Sequence, residues 1–160
     1  MAKTKSPDRS GTKLIAQNRK ARFNYEIEDS LEAGIVLVGT EVKSCRDGKV
    51  NLADAYASID GAGEAWLLQC HISPYSHGNR DNHDPMRVRK LLLRSDEIER
   101  LGVKVNQEGR ALVVTRMYFK QGLVKLELAV GRGKKLYDKR QDQAKRDADR
   151  SMQQALGRRR

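Results

Sequence analysis

Tyr137 is set among Lys134, Lys135, Lys139 and Arg140, with Asp138 beside it. A ring flanked by phosphate-seeking cations can stack on an unpaired nucleobase while the charges hold the backbone on either side. The alternative is a tyrosine packed against the edge of a folded body. Other chemistries fall away on spacing. His71, His77 and His83 stand six residues apart, which neither stacks them on one helix face nor matches a zinc site. Cys45 and Cys70 fit no metal or redox motif and read as free thiols, with a single disulfide as the alternative. GRGK, beginning at Gly131, lacks the Walker spacing and the Ser or Thr after its lysine, so it reads as a basic turn leaving a strand. No serine or cysteine lies in a recognisable nucleophile context. The expectation is a polyanion binder, without catalysis, metal or cofactor.

Charge placement points the same way. Of the net +11, residues 1–22 hold seven basic groups against one acid, and residues 131–160 hold eleven against four. The intervening stretch has fourteen basic and sixteen acidic residues and is nearly neutral. Two cationic arms on a neutral body are the footprint of nucleic-acid binding. A membrane partner fits less well: no apolar run approaches the ~20 residues a spanning helix needs, and neither arm carries the Trp/Phe/Leu face of an interfacial helix. The first ten residues lack the apolar core of a signal peptide, which suggests a cytoplasmic protein.

The elements that would position these groups follow from periodicity. Residues 1–12 read as a flexible basic arm, 13–132 as a β-barrel domain and 133–160 as a basic tail. The short apolar stretch LIAQN is followed by Arg19, Lys20 and Arg22 in a helical turn, and Phe23, Tyr25 and Ile27 alternate as in a strand. Gly34 opens a second apolar run, and Thr40 is placed to N-cap a short helix ending at Asp47-Gly48. Alternation at Ala55, Ala57 and Ile59 and an Asp60-Gly61 turn predict further strands. Residues 73–85 form a loop long enough to be functional or mobile. RKLLL reads as buried, a helix starts at Ser95, and the segments around Gln121-Gly122 form the clearest hairpin. Short strands without βαβ rhythm predict a mainly β, antiparallel barrel of the oligonucleotide-binding type with two or three short helices. In the tail, Asp142 is spaced to pair with Lys145 and Arg146, and Asp147 with Arg150. The apolar stripe there is too thin to hold a helix unaided, so the tail is expected to be disordered when free and helical on its target.

Five blocks resemble the small protein B family, the SsrA-binding proteins of bacterial trans-translation: NRKARFNYEI, EAGIVLVGTEVKSCRDGKVNL, HISPYSHGNRDNHDPMRVRKLLL, GRGKKLYDKR and the basic tail. The sequence departs at Phe23-Asn24, where many members carry His and an acid. The resemblance implies a non-enzymatic RNA-binding factor. Such a factor holds the tRNA-like domain of transfer-messenger RNA (tmRNA) and delivers it to the A site of stalled ribosomes, with elongation factor Tu in the delivery complex. It implies RNA contacts at Asn18, Lys20, Arg22, Glu32, Glu41, Lys43, Lys90, Leu92 and Lys125. Lys134, Lys135, Tyr137, Asp138, Lys139 and Arg140 would meet the decoding centre and empty mRNA channel. Glu32 and Glu41 would accept from base amino groups, or else serve as element-end charges; Leu92 would pack in the core or under a base.

Overall fold

The computed structural model describes residues 11–157. The expected disorder of the N-terminal arm falls largely on residues 1–10, outside that range. In chain order the elements are β1 (Thr12–Gln17), α1 (Arg19–Asn24), β2 (Tyr25–Ile35), α2 (Gly39–Arg46), β3 (Val50–Asn51), β4 (Tyr56–Ile59), β5 (Ala65–Leu68), β6 (His71–Ile72), β7 (Arg89–Leu92), α3 (Ser95–Glu108), β8 (Ala111–Lys120), β9 (Leu123–Gly133) and α4 (Leu136–Gly157). All strand pairings are antiparallel.

The pairings run β8–β4–β5–β7–β2–β9, and β9 pairs back with β8. The sequence of neighbours therefore returns to its start, and each of these six strands has a partner on both sides. β1 adds to β8 outside this ring, and β3 with β6 makes a separate two-stranded piece. The β8–β9 hairpin turns at Gln121 (φ 51°) and Gly122 (φ 76°). Two successive left-handed residues match the twist of the flanking strands.

Alternation decides what is inside. Leu67, Leu91, Val114, Met117, Leu126, Leu128 and Val130 are buried in the main core, with Leu101 and Val105 of α3 packed on it. On the opposite face of the hairpin, Val113 and Ala129 pack under Ala21 of α1. That is why ALVV and LAV read as continuous apolar runs: both faces of the sheet are covered there.

Three local expectations are corrected. Phe23 belongs to α1, and the strand begins at Tyr25. Gly34 lies within β2 and does not open a new element. Thr40 is inside α2; the free backbone N–H of Val38 is instead taken by Glu41 Oε2 at 2.9 Å. Thr40 Oγ1 lies 2.9 Å from His83 Nδ1, and His83 Nε2 lies 2.9 Å from the Ile72 carbonyl. A carbonyl only accepts, so Nε2 carries the proton and Nδ1 accepts from Thr40. Asn82 accepts from the Tyr75 N–H at 3.0 Å and donates to the Tyr75 carbonyl at 2.7 Å. The long loop of residues 73–85 is thus pinned at several points.

Beneath that loop lies a buried ion cluster. Arg89 Nε donates to Glu41 Oε1 at 2.7 Å, and Arg87 Nη2 donates to Oε2 at 2.8 Å. Arg89 also donates to the Cys70 carbonyl at 2.8 Å and the Pro85 carbonyl at 3.2 Å. Burial alone would raise the Glu41 pKa, but hydrogen bonds from Arg87, the Val38 N–H and Arg89 outweigh it and hold the carboxyl below its ordinary value. Cys45 and Cys70 are both buried free thiols, pushed by burial to about 12 and about 11. They are therefore protonated and unreactive.

Candidate nucleic-acid interface

One solvent-facing row crosses three adjacent strands. Gly34 of β2 pairs with Leu92 of β7 on one side and with Lys125 of β9 on the other. Leu92 is 53% exposed, which settles its environment: it is a surface residue and not part of the core. A Cβ on Gly34 would lie 3.1 Å from Leu92 Cβ, so the glycine leaves a shallow step beside an exposed apolar side chain. Lys90, two residues before Leu92, is ion-paired to Glu64 at 3.0 Å.

Glu32, two residues before Gly34, closes the row. It accepts from the Tyr118 hydroxyl and from Lys120 Nζ at 3.3 Å. The Tyr118 hydrogen bond holds its carboxyl below the ordinary value, with Lys120 and Lys125 adding to the effect against partial desolvation. Burial and the Glu32 carboxylate together push the Tyr118 hydroxyl pKa up. The strands thus bring Glu32, Lys90, Leu92 and Lys125 onto one face, where a cation and an apolar side chain flank bare backbone.

Other expected contacts lie elsewhere. Glu41 is fully buried and paired, so it is corrected from base acceptor to structural counterion. Asn18 is only 6% exposed. Its Oδ1 accepts from the Ala21 N–H at 3.2 Å and its Nδ2 donates to the Val114 carbonyl at 3.0 Å. It is therefore corrected from base reader to the cap that fastens α1 to β8. Lys20 and Arg22 remain exposed on that helix. Lys43, on α2, sits over the Tyr75 ring at 5.3 Å.

The tail forms one helix, α4, with no buried residue. Its base is tied to α1: the Lys134 N–H donates to the Asn24 carbonyl at 2.9 Å, and Lys134 Nζ pairs with Asp142. Asp142 thus finds Lys134 rather than an i+3 or i+4 cation. Asp147 accepts from Gln143 at 3.1 Å, and not from Arg150. Tyr137 is 69% exposed, which removes the alternative of packing on the body; its hydroxyl accepts from Gln141 Nε2 at 2.9 Å. Lys135, Asp138 and Arg140 are exposed and Lys139 is half-buried.

Arg19, Arg116, Tyr118 and Arg146 are not among the contacts the sequence suggests. Arg116, Tyr118 and Lys120 fall at every second position of β8, a signal that periodicity contained. The Arg146 guanidinium lies 5.4 Å from the centre of the Phe23 ring, a pairing of distant segments that no local pattern announces.

The comparisons with known proteins can be set beside this geometry. The family described as SmpB protein matches residues 15–158. An SsrA-binding protein of Desulfitobacterium hafniense is 58% identical over 143 residues, which is 89% of this chain and 91% of that one. An SsrA-binding protein of Nocardia farcinica is 58% identical over 149 residues, covering 93% and 92%. A solved chain from "tmRNA-SmpB: a journey to the center of the bacterial ribosome" is 47% identical with a TM-score of 0.64, covering 76% of this chain and 85% of that one.

Proposed function

Since the chain belongs to the SmpB protein family, we propose that it is an RNA-binding factor of ribosome rescue. It binds tmRNA and acts with it on stalled ribosomes, as a binding factor and not as an enzyme. In finer terms, the body holds the tRNA-like domain, and the tail enters the decoding centre and vacant mRNA channel. Elongation factor Tu takes part in delivery, and the setting is the cytoplasm. The observation that carries this division is that the sheet row and the exposed basic helix are separate surfaces, the helix meeting the body along α1 at the Lys134 anchor and at Phe23.

The sheet row suits a folded RNA read by shape and unstacked bases. Lys125 and Lys90 meet phosphates, Leu92 packs under a base, and the Gly34 step lets the nucleotide approach the backbone. Lys20 and Arg22 add phosphate contacts from α1, and Lys43 from α2. On the tail, Tyr137 supplies a stacking ring and Lys134, Lys135, Lys139 and Arg140 its flanking charge, with Asp138 beside the ring. Recovery of bound RNA from cells followed by sequencing tests the assignment: tmRNA should dominate, and ribosomal RNA alone would make the protein a structural ribosome component.

Two further outcomes are expected. With roughly six phosphate contacts, log K for the tRNA-like domain should fall against log[salt] with a slope of about −4 to −5. Lys20→Ala should flatten it by about one unit. A slope near zero would show that RNA phosphates are not what the body binds. Beyond Arg146, α4 has neither a buried residue nor a tether, so its amides should exchange at nearly random-coil rates in the free protein and become protected on the ribosome. Strong protection of that segment in the free state would remove the order-on-binding account.

A further inference from the structure

Between α1 and α4 lies a cleft of about 250 Å³ lined by Arg19, Arg22, Arg116, Arg146, Thr115 and Glu127, among others. The four arginines arrive by three structural devices. Arg19 and Arg22 are three residues apart on α1 and so share a face. That helix is fastened by the Asn18 cap to β8 at Val114 and Thr115. Arg116 follows the irregularity in the β8–β9 register at Thr115, and its Nε donates to Glu127 at 2.5 Å. Glu127 is further held by the Thr115 hydroxyl at 3.0 Å. Arg146 comes from the tail helix, over Phe23.

Four guanidinium groups against one carboxylate line this cleft, and the further acid that interacts with Arg146, Asp142, is itself paired with Lys134. Among the described residues, Arg19, Arg22 and Arg146 have no carboxylate partner in an ion pair, and Glu127 is committed to Arg116. Converging like charges in a concavity is unfavourable unless an anion occupies it. The guanidinium fork matches phosphate oxygens in a way an ammonium does not. The lining is polar and rich in guanidinium groups and carries no aromatic ring on which a base could stack, so it suits a phosphate group.

We propose that Arg19, Arg22, Arg116 and Arg146 form one composite site for a backbone phosphate of RNA, closed on one side by the tail helix. The proposal rests on the RNA-binding reading above and extends it: a residue of the tail belongs to the RNA grip of the body. Phe23 is its positioning residue, giving Arg146 a flat surface to rest on at the rim. Occupancy then favours the tail lying along α1, and by linkage an ordered tail favours the bound RNA. Body and tail are coupled through one shared anion.

The test uses the full chain and the isolated tRNA-like domain of tmRNA, with affinity measured by fluorescence anisotropy across a salt series. Arg146→Gln and Arg116→Gln should each weaken binding about three- to tenfold and flatten the salt slope by about one unit. Arg150→Gln removes the same charge from the same helix outside the cleft and should change affinity by less than about twofold. Equal effects of Arg146→Gln and Arg150→Gln would overturn the site, leaving only diffuse attraction. Failure of the wild type to bind this RNA would instead overturn the functional reading itself. Phe23→Leu, which keeps the volume but removes the ring, should reproduce about half of the Arg146→Gln loss on a logarithmic scale.

A second readout distinguishes RNA from a free anion. In spectra of the arginine Nε–Hε groups, inorganic phosphate at millimolar concentration should shift several of the four arginines with one binding curve, and added RNA should displace it. Phosphate that stays bound at saturating RNA would overturn the assignment to an RNA backbone.

Discussion

Replacing Glu41 with alanine is expected to destabilise the body by about 3–5 kcal/mol, because it leaves the fully buried Arg89 guanidinium without its counter-charge. The melting temperature should fall by roughly 10–20 °C, and a change below about 1 kcal/mol would show that Glu41 is not the charge that Arg89 depends on. The cause is specific to this site. Arg89 is committed to the Cys70 and Pro85 carbonyls as well, so it cannot swing out to water without breaking the join between the loop of residues 73–85 and β7. The pH dependence follows from the lowered Glu41 pKa. The stability it contributes is fully present above the unfolded carboxylate pKa of about 4.3 and is lost as pH falls through the lower folded value. Acid unfolding of the Glu41→Ala protein should lack that component. A Glu41→Gln variant kept folded at low temperature should bind RNA as the wild type does, since the side chain never reaches the surface.

The second large effect is expected in the tail. Tyr137→Ala combined with Lys139→Ala and Arg140→Ala should leave affinity for the isolated tRNA-like domain within about threefold of wild type. It should lower peptidyl transfer to alanyl-tmRNA on stalled ribosomes by roughly two orders of magnitude or more. The size comes from one lost base stack at ~1–3 kcal/mol and two charge-assisted contacts of about 1.5–3 kcal/mol each. Tyr137 is suited to this because its ring is presented to solvent while the Gln141 hydrogen bond restrains it. The two assays on one variant separate the surfaces: parallel loss in both would place Tyr137 on the face that grips tmRNA. Deletion of the whole helix is a coarser version. It should be cut after Lys135, because β9 pairs with Tyr25 as far as Gly133 and Lys134 is hydrogen-bonded to Asn24. This deletion also removes Arg146, so its RNA affinity should drop by the amount lost in Arg146→Gln and not much further.

What could be read from the chain divides by range. The β8–β9 hairpin, the helix at Ser95 and the antiparallel class rested on local periodicity and turn residues, and the structure has them. The buried state of Glu41 was not legible. An acid near a helix start looks the same whether it faces solvent or a buried arginine, and Arg89 is 48 residues away. Asn18 misled for a related reason. Its amide suits a base edge as well as it suits the two backbone groups it actually engages on α1 and β8. Leu92 was ambiguous because RKLLL is apolar enough to be buried on both faces, and only its exposure in the folded sheet places it outside. The tail contacts of Phe23, Asn24 and Lys134 join segments more than a hundred residues apart, beyond any periodicity.

The ring of pairings has a consequence for how the chain reaches its fold during synthesis. β2 begins at Tyr25, but its longest partner, β9, ends at Gly133, and β1 waits for β8 in the same way. β2 cannot complete its pairing until about four-fifths of the chain has been made, since Gly133 is the last sheet residue of 160, and β1 waits for β8 as far as Lys120. Until then β2 has only its short pairing with β7 at Gly34 and Ile35, and most of its backbone groups have no long-range partner, a condition that slows folding and invites association with other chains. The β8–β9 hairpin is the local unit able to form first, and it would then recruit β2 on one edge and β1 and β4 on the other. The highly charged first arm, already emerged, keeps nascent copies apart by repulsion while the chain is incomplete.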